Sequence, residues 1–563
     1  MRSLRYRKAA TLLAFSLLSC RDDVRPGPLE SGLSQVTLRY VCGNDFDIQN
    51  QSSAALTVRY TVLGAAEDGE LLLPGHGESE AATRLTTLHR GTVQISDGDQ
   101  ASSPVSNLAT ACPPSPSATQ PEATAGQWTA PFPWPIVAVH LHLLPNGRVL
   151  SWGRIGEPQV WDPESGNFQA APSRTMVFCS GHAFLPDGRL LVTGGHLDDE
   201  RGLRDANIFD GSTEAWTPVQ PMSRARWYPT STTLADGEVL TLAGTDERGL
   251  DVETPEVWTG NGWRSLDRAS RILPYYPRTF VAPNGLVFYA GELAQSAYLD
   301  PNGTGTWTPV ATSHYGRRDY GSAVMYQPGK VMILGGSDPP DGEPTPTAEL
   351  IDLNQPAPSW RYTDPMTYAR RQLNATVLPD GKVLVTGGTT SAGFSDPAGA
   401  VHAPELWDPG TGKWSVMASN QVTRVYHSTT LLLPDGRVLN TGSGDGPGLP
   451  RELNAEIFSP PYLFRGPRPV ITQAPAEIGY GEAFVVATPD AGRITRVSLV
   501  RLSSVTHAFD QNQRFSELSF RKTAGGLTVT GPETRPVAPP GHYLLFILDG
   551  AGVPSLAKVI HMK

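Results

Sequence analysis

The chain has 563 residues, more than one hydrophobic core usually serves, so two to four domains are expected. Its 57 glycines and 51 prolines, with only 18% charged residues, are typical of a turn-rich β protein. The net charge of -10 and the lack of a long Lys/Arg cluster exclude nucleic acid as a partner, because phosphate binding needs a concentrated basic face.

Residues 1–20 have the pattern of an export signal. Four basic residues precede an apolar stretch from Ala9 to Leu18, which is too short to span a bilayer. The ending "LLSC" resembles the cleavage box of bacterial lipoproteins, in which Cys20 becomes the lipidated N-terminus. The sequence therefore predicts an exported protein, either a lipoprotein anchored at the membrane or cell surface or, with a plain signal, a secreted one. An N-terminal lipid would be its only membrane contact.

Residues 21–113 are expected to form a small N-terminal β domain. Short runs from Gln35 onward alternate apolar and polar residues as strands do. Cys42 and Cys112 bracket these runs, and a disulfide between them would close a loop of 71 residues. Such a loop would add roughly 4 kcal/mol of stability by the chain-entropy relation. A linker rich in Pro, Ala, Ser and Thr is expected at 114–127.

From residue 128 to 463 the chain repeats one pattern seven times. A strand-like run reaches a turn, usually Asp-Gly or Asn-Gly, and a second apolar run follows and usually ends in Gly-Gly. The turn glycines are spaced 41, 49, 48, 44, 52 and 55 residues apart. A period near 50 residues with about four strands per unit predicts a seven-bladed β-propeller of kelch type. These glycines are Gly147, Gly188, Gly237, Gly285, Gly329, Gly381 and Gly436.

Residues 464–563 contain further short strand-like runs, which fit a C-terminal β-sandwich of immunoglobulin type without its Cys-Trp-Cys signature. The predicted fold class is therefore all-β, with a propeller between a small N-terminal β domain and this sandwich.

The repeat allows one position to be compared in all seven units. The residue nine before each turn glycine is expected to lie in a ring at one mouth of the central channel. Cys179 and Tyr228 then fall in adjacent blades, and His427 lies two blades from Cys179. Tyr426 precedes His427, and adjacent residues of a regular strand point to opposite faces, so both face one site only if the chain is irregular there. The ring members are Ala138, Cys179, Tyr228, Tyr276, Tyr320, Gln372 and His427.

The ring combines an unpaired cysteine, tyrosines and a histidine, and this combination indicates a metal site. Taken singly, a channel tyrosine or a buried free cysteine is more often a packing residue. Imidazole nitrogens with phenolate oxygens suit Cu(II), whereas zinc more often recruits cysteine or carboxylate and calcium prefers several oxygens. A bound metal would also lower the pKa of a coordinating phenol.

Four segments resemble the copper radical oxidases, the family of galactose oxidases and glyoxal oxidases: "MVFCSGH", "RARWYPTS", "RVYHSTT" and "VTHAFDQNQRF". The resemblance covers the propeller and the C-terminal domain, about 430 residues. It implies a thioether between Cys179 and the ring of Tyr228, made by the enzyme's own copper and oxygen chemistry. It also implies Tyr228, His427 and His507 as equatorial copper ligands, with Tyr426 axial and acting as the base that takes the substrate hydroxyl proton.

The implied activity is a two-electron oxidation by O2 that yields hydrogen peroxide, with copper accepting one electron and the Cys-Tyr radical accepting the other. Galactose oxidases carry a stacked tryptophan about eighteen residues beyond the tyrosine. That position, near Asp246, holds no tryptophan, and Trp258 is out of register. The stretch "RWYPT" is closer to the glyoxal oxidases. We therefore expect small aldehydes, oxidised as hydrates, or simple primary alcohols as substrates, with galactose-type oxidation as the alternative.

Two other functions fit parts of the sequence. A non-catalytic kelch propeller would bind glycans or proteins at the cell surface, but it has no need of Cys179 paired with Tyr228. A hydrolase of sialidase type needs an arginine triad and paired carboxylates, which the ring positions do not supply. Arg317, Arg318 and Gln372 fall near the same mouth and are candidates for substrate contacts or, equally, for surface or packing roles. A monomer is expected.

Overall fold

The structure is a computed structural model that describes residues 32–42, 45–52, 54–63, 65, 67–73, 83–87, 92–98, 100–106, 121–446 and 449–563. Cys20, Cys112 and the predicted signal 1–20 lie outside the described residues, as does the side chain of Cys42, so the predicted lipid and disulfide stay predictions. None of the helices among the described residues has the length and apolar character that a membrane crossing requires.

The N-terminal part forms two small antiparallel sheets, in the orders β1-β2-β5 and β4-β3-β6-β7. Its strands are β1 (Val36–Cys42), β2 (Asp45–Asn50), β3 (Leu56–Leu63), β4 (Glu67–Leu73), β5 (Thr83–Thr86), β6 (Thr92–Ser96) and β7 (Val105–Ser106), after a 3-10 turn at Gly32–Gln35. In β3 the buried residues Val58, Tyr60 and Val62 alternate with exposed or half-buried ones, and they pack with Phe46 and Ile48 of β2 into one core.

The C-terminal end of the segment predicted as a linker contains regular structure. Helix α1 (Glu122–Ala125) is followed by β8 (Gln127–Trp128) and β9 (Phe132–Pro133), and both strands pair with a strand of the last repeat. The residues before the first repeat are therefore part of the repeat region's sheet structure.

Seven antiparallel sheets follow one another along the chain, each built on four strands. Sheet 1 consists of β10 (His140–Leu143), β11 (Val149–Trp152), β12 (Gln159–Trp161) and β13 (Phe168–Ala170). Sheet 2 consists of β14 (Gly181–Phe184), β15 (Leu190–Thr193), β18 (Ala206–Asp210) and β19 (Ala215–Val219). The hairpin β16 (His196–Asp198) and β17 (Arg201–Gly202) is inserted between β15 and β18. Sheets 3 and 4 are β20 (Thr230–Thr233), β21 (Val239–Leu242), β22 (Glu256–Trp258), β23 (Trp263–Ser265), and β24 (Arg278–Val281), β25 (Val287–Gly291), β26 (Gln295–Asp300), β27 (Thr306–Thr312).

Sheets 5 and 6 are β28 (Ser322–Gln327), β29 (Lys330–Leu334), β30 (Ala348–Asp352), β31 (Arg361–Tyr362), and β32 (Asn374–Val377), β33 (Val383–Thr386), β34 (Glu405–Asp408), β35 (Lys413–Val416), with a 3-10 turn at Pro397–Gly399 before β34. Sheet 7 is β36 (Ser428–Leu432), β37 (Val438–Gly442), β38 (Asn454–Ser459) and, from the start of the region, β8.

The first strands of sheets 2 to 7 contact one another in succession, and β36 of the last sheet contacts β10 of the first. Between sheets 1 and 2, β42 of the C-terminal region contacts both β10 and β14, and His140 contacts His182, so the sheets form a closed ring. Because β8 precedes the first sheet and completes the seventh, its pairing with β38 ties the two ends of the ring together.

The C-terminal strands form two more sheets, in the orders β39-β48-β47-β41-β44 and β40-β46-β45, around an apolar core of their own. One hairpin leaves them: β42 pairs with β10, contacts β14 and β36, and so reaches the centre of the ring. The elements are 3-10 turns at Pro461–Phe464 and Ala491–Arg493, and β39 (Glu477–Ile478), β40 (Ala483–Ala487), β41 (Ile494–Arg501), β42 (Ser504–Thr506), β43 (Phe509–Asp510), β44 (Phe515–Glu517), β45 (Phe520–Thr523), β46 (Gly526–Thr530), β47 (Gly541–Asp549) and β48 (Lys558–Met562).

Four of the sheets repeat a buried ion pair that the sequence analysis missed. In each, an arginine just before the ring position donates both to a backbone carbonyl at or just after the end of the second strand and to a glutamate on the third strand. The pairs are Arg226–Glu256, Arg318–Glu349, Arg370–Glu405 and Arg424–Glu456. They anchor the segment that leads into each ring position.

Candidate active site

Six of the seven ring positions share a left-handed backbone. Their φ angles are 62° at Cys179, 62° at Tyr228, 46° at Tyr276, 50° at Tyr320, 60° at Gln372 and 68° at His427. This conformation costs energy for residues with a side chain and persists only where neighbouring contacts hold it. Backbone bonds between adjacent sheets provide such contacts: the Tyr228 amide donates to the Cys179 carbonyl at 2.9 Å, and the Tyr276 amide to the Tyr228 carbonyl at 3.0 Å.

The left-handed turn at His427 explains how Tyr426 and His427 share one site. The regular strand begins only at Ser428, so the alternation of a strand does not apply to the pair. Their rings stack with centroids 3.7 Å apart and planes at 28°. The backbone at Tyr426 and His427 is therefore irregular, as expected if both side chains face one site.

Four polar side chains converge at the channel mouth. The Tyr228 hydroxyl lies 2.6 Å from the Tyr426 hydroxyl and 2.8 Å from Nε2 of His507. The His427 and His507 rings are 4.8 Å apart and nearly perpendicular, at 86°. His507 sits in the turn between β42 and β43, so the C-terminal hairpin completes the set.

The hydrogen bonds of the two histidines fix where their protons lie. Nδ1 of His427 is 2.7 Å from the Gly444 carbonyl, which can only accept, so Nδ1 carries the proton. Nε2 of His427 then offers a lone pair, and it is buried with no hydrogen-bond partner. Nδ1 of His507 is 2.6 Å from the Thr506 hydroxyl, which donates to the Val139 carbonyl, so Nε2 of His507 is likewise an acceptor. Nε2 of His507 lies against the Tyr228 hydroxyl, and Nε2 of His427 is an unpartnered acceptor on the adjacent ring, so both are available as ligand atoms.

Burial keeps all four groups neutral. It lowers the pKa of His427 to about 3 and the pKa of His507 well below its usual value. It raises the pKa of Tyr228 and of Tyr426 above the usual value for a phenol. A bound cation would reverse the effect on the phenols, because it favours their anionic forms.

Cys179 lies where the sequence placed it, fully buried in one apolar cluster with Tyr228. Burial raises the pKa of its thiol, and a hydrogen bond with Tyr228 opposes the rise. Trp227 stacks on Tyr228 with centroids 3.6 Å apart and planes at 8°. A tryptophan therefore covers Tyr228 even though no tryptophan is present near Asp246. This tryptophan is the residue that directly precedes the tyrosine in the chain.

A buried histidine chain behind Cys179 was missed by the sequence analysis. The Cys179 amide donates to Nε2 of His140, whose Nδ1 lies 3.2 Å from Nε2 of His182. His182 and His142 both contact the Ser504 hydroxyl, at 2.6 and 2.9 Å. The chain ties the backbone of Cys179 to the C-terminal hairpin. The signal for it was the presence of histidines in both first strands, His140 and His142 in sheet 1 and His182 in sheet 2.

A cavity of about 360 Å³ opens beside Tyr228 and His507. Its apolar or aromatic lining residues are Ile272, Leu273, Pro274, Tyr275, Tyr276 and Leu293. Its charged lining residues, the charged wall, are Arg278, Glu292, Arg317, Asp319 and Asp251, and Tyr320 also lines it. The cavity is therefore amphipathic and adjoins the converging groups.

Both arginines of the charged wall have partners within the protein. Arg317 donates to Glu292 at 2.7 Å, and Arg278 donates to the Gly321 carbonyl at 2.7 Å. Burial raises the pKa of Glu292, and the charge of Arg317 opposes the rise. Of the three candidate substrate contacts named from the sequence, only Arg317 lines this cavity. Arg318 and Gln372 have structural partners instead: Glu349 for the first, and the Phe394 carbonyl for the second.

Known proteins share this architecture. A family model described as "Galactose oxidase-like, Early set domain" matches residues 468–562, and one described as "Glyoxal oxidase N-terminus" matches residues 342–462. Galactose oxidase of Gibberella zeae is 30% identical over 494 residues, which cover 79% of this chain and 72% of the relative. The chain belongs to the galactose oxidase family. It is a copper radical oxidase.

Other relatives of this oxidase differ in what their names say they act on. "Aldehyde oxidase GLOX" of Vitis pseudoreticulata is 28% identical over 471 residues, covering 75% of this chain and 89% of the relative. A solved structure described as a novel fungal alcohol oxidase with catalytic diversity among the AA5 family, in complex with copper, has a TM-score of 0.73 and 27% identity. It covers 78% of this chain and 100% of its own.

The residues of this oxidase fit a copper ion. The orphaned Nε2 of His427, the acceptor Nε2 of His507 and two hydroxyls within hydrogen-bonding distance form an N2O2 donor set, which suits Cu(II). Among the described residues no group of three or more His, Cys, Asp or Glu side chains is placed to hold a metal. The tyrosines are therefore essential to the donor set.

Proposed function

We propose that this oxidase catalyses the two-electron oxidation of a small aldehyde, as its hydrate, or of a primary alcohol. O2 accepts the electrons, and hydrogen peroxide is the product. The observation that carries the proposal is the convergence of the Tyr228 and Tyr426 oxygens with Nε2 of His507 and the free Nε2 of His427. Tyr228, Tyr426, His427 and His507 would hold the copper.

Each residue has a distinct task in this proposal. Copper, when bound, supplies one of the two oxidising equivalents and a positive charge that draws in the substrate oxygen. Tyr228, joined to Cys179 by a thioether, supplies the other equivalent as a ring-centred radical, since sulfur donation spreads the unpaired electron. Tyr426 takes the substrate hydroxyl proton, and its 2.6 Å contact with Tyr228 holds it at the reacting centre. The rigid ring preorganises these groups.

The proposed architecture is a seven-bladed kelch-type propeller at 128–463, in which each four-stranded sheet is one blade. The closed ring of strand contacts and the pairing of β8 with β38 support it. We further propose an immunoglobulin-like sandwich at 464–563, whose hairpin delivers His507, and a separate N-terminal β domain at 21–113.

The cavity supports small substrates that carry hydroxyl groups. Its charged wall offers hydrogen bonds to hydroxyls: Arg317 is paired with Glu292, and Arg278 donates to the carbonyls of Tyr276 and Gly321. The second candidate, galactose-type oxidation of a sugar alcohol, is favoured by the same amphipathic cavity, because a sugar ring packs one face on aromatic side chains such as Tyr275. Initial rates of peroxide formation with glyoxal, methylglyoxal, glycolaldehyde, glycerol and galactose would distinguish the two, and a strong preference for galactose would overturn the first.

The mass of the copper-loaded protein tests the cofactor. A thioether removes two hydrogens, about 2 Da, and joins the tryptic peptides of Cys179 and Tyr228. Separate, unmodified peptides after loading in air would contradict the proposal, and Cys179→Ser gives the matched control without a cross-link.

We also propose that the protein is an exported monomer, anchored as a lipoprotein through Cys20 or secreted. The export pattern of residues 1–20 supports this. Fractionation of cells that express the wild type or Cys20→Ser tests it: the variant should leave the membrane fraction, and retention of both forms in the cytosol would contradict it.

A further inference from the structure

The hairpin β16–β17 of sheet 2 lies against the segment that carries Tyr228. The Gly195 amide donates to the Arg226 carbonyl at 3.1 Å, and the Arg226 amide donates to the Leu203 carbonyl at 2.9 Å. Glycines 194, 195 and 202 permit this approach, because a Cβ at each would overlap backbone atoms of neighbouring segments. His196, the first residue of the hairpin, is thereby placed beside Trp227.

The hydrogen bond between these two residues has only one possible direction. The Trp227 indole N–H lies 3.1 Å from Nδ1 of His196, and an indole can only donate. Nδ1 therefore accepts, and the proton of the neutral imidazole is on Nε2, which faces Asp199 Oδ1 at 3.9 Å. Burial lowers the pKa of His196, and the charge of Arg154 lowers it further, against the opposing charges of Asp199 and Asp198. The neutral imidazole, whose Nδ1 accepts the Trp227 N–H, is therefore the favoured form of His196.

We propose that His196 is a positioning residue for the radical tyrosine, because by accepting the Trp227 N–H it fixes the indole parallel to the Tyr228 ring at 3.6 Å. The inference rests on the proposed radical role of Tyr228. Trp227 is buried, so an indole N–H without a partner is costly and drives the ring to seek another acceptor. Rotation would lose the parallel overlap, which places an electron-rich ring on the one that carries the unpaired electron.

Two substitutions separate the acceptor from the bulk of the side chain. His196→Asn keeps an acceptor oxygen near the position of Nδ1, whereas His196→Leu fills the space without one. His402→Leu is the matched control, since His402 is also half-buried or more and its Nδ1 contacts the Asn420 carbonyl at 3.2 Å. Each full-length protein is loaded with copper in air, checked for the thioether by peptide mass, stripped with a chelator and oxidised with hexachloroiridate. The decay of the tyrosyl radical is then followed by EPR.

The thioether should form in every protein. The radical of His196→Leu should decay roughly two- to tenfold faster than that of the wild type, the factor that one aromatic stack is worth. His196→Asn and His402→Leu should stay within about twofold of the wild type. In a Trp227→Phe background, which has no indole N–H, His196→Leu should have no further effect, because the coupling between the two sites is gone.

Equal decay in the wild type and His196→Leu would overturn the inference, as would decay of His196→Asn as fast as that of His196→Leu. A wild type that forms neither thioether nor radical would overturn the proposed function itself, and the inference with it. The two failures are therefore distinguishable in the same experiment.

Discussion

Replacing Tyr426 with Phe removes one hydroxyl and leaves the ring that packs the site. The Tyr426 ring stacks on His427 at 3.7 Å and meets Phe394 edge-on at 4.7 Å, and a phenylalanine keeps both contacts. The hydroxyl of Tyr228 loses one partner but retains His507 at 2.8 Å. The Tyr426 hydroxyl also hydrogen-bonds with Tyr320, so the free energy of unfolding should fall by about 1–3 kcal/mol, the net value of two hydrogen bonds.

Catalysis should suffer far more than stability. If Tyr426 takes the substrate proton, its loss removes a positioned base, which is worth about a hundred- to ten-thousandfold in rate. We expect kcat for peroxide release to fall by that factor and the thioether of Cys179 with Tyr228 to form as in the wild type. Coupled peroxide assays at saturating substrate measure the first quantity, and peptide mass measures the second. A variant with intact thioether, full copper content and kcat within about fivefold of the wild type would refute the assignment of Tyr426 as the base.

Three further predictions concern the framework of the site. Glu405→Gln leaves the guanidinium of Arg370 buried without its carboxylate and should cost about 3–5 kcal/mol in urea denaturation; a loss below about 1 kcal/mol would show that the pair is dispensable. Gly195→Ala should cost about 1–3 kcal/mol more than Gly393→Ala, because both glycines have positive φ but only the first has backbone atoms where a Cβ would lie; equal losses would contradict the close packing. The apoprotein should lose stability as pH falls below about 6.5, because the unfolded chain binds a proton at His427 whereas burial lowers the pKa of this histidine in the folded protein to about 3. The loss should be up to about 1.4 kcal/mol per pH unit for each such histidine. An unchanged Tm between pH 7.5 and 5.5 would contradict this prediction.

The repeat frame made much of this site predictable from the sequence. Counting nine residues back from each turn glycine places Cys179 next to Tyr228, and the structure joins their backbones at 2.9 Å. The turn itself carries the information, because Asp-Gly and Asn-Gly fix where each hairpin reverses and hence where each first strand must begin. His507 has no place in that frame, and its role came only from the family resemblance.

Side-chain networks were less predictable, because they depend on which residues face each other across sheets. The chain of His140 and His182 behind Cys179 links two sheets to a hairpin more than 300 residues away in sequence, at Ser504. Local patterns report burial and period but do not report such partners. The same limit applies to Trp227: its presence was visible, yet its parallel stack on Tyr228 depends on the turn that only the structure shows.

The left-handed backbone at the ring positions explains both which parts of the site could be predicted from the sequence and which could not. In a regular strand Tyr426 and His427 would point apart, and Trp227 could not lie flat on Tyr228, its own neighbour in sequence. A positive φ at Tyr228 and at His427 folds each adjacent pair onto one side, and each fold brings two aromatic rings within 3.7 Å. The strain at these positions is held by bonds between neighbouring sheets and by the buried Arg–Glu pairs just before them. The repeated scaffold therefore holds the strained backbone that the site residues, which do not repeat, require.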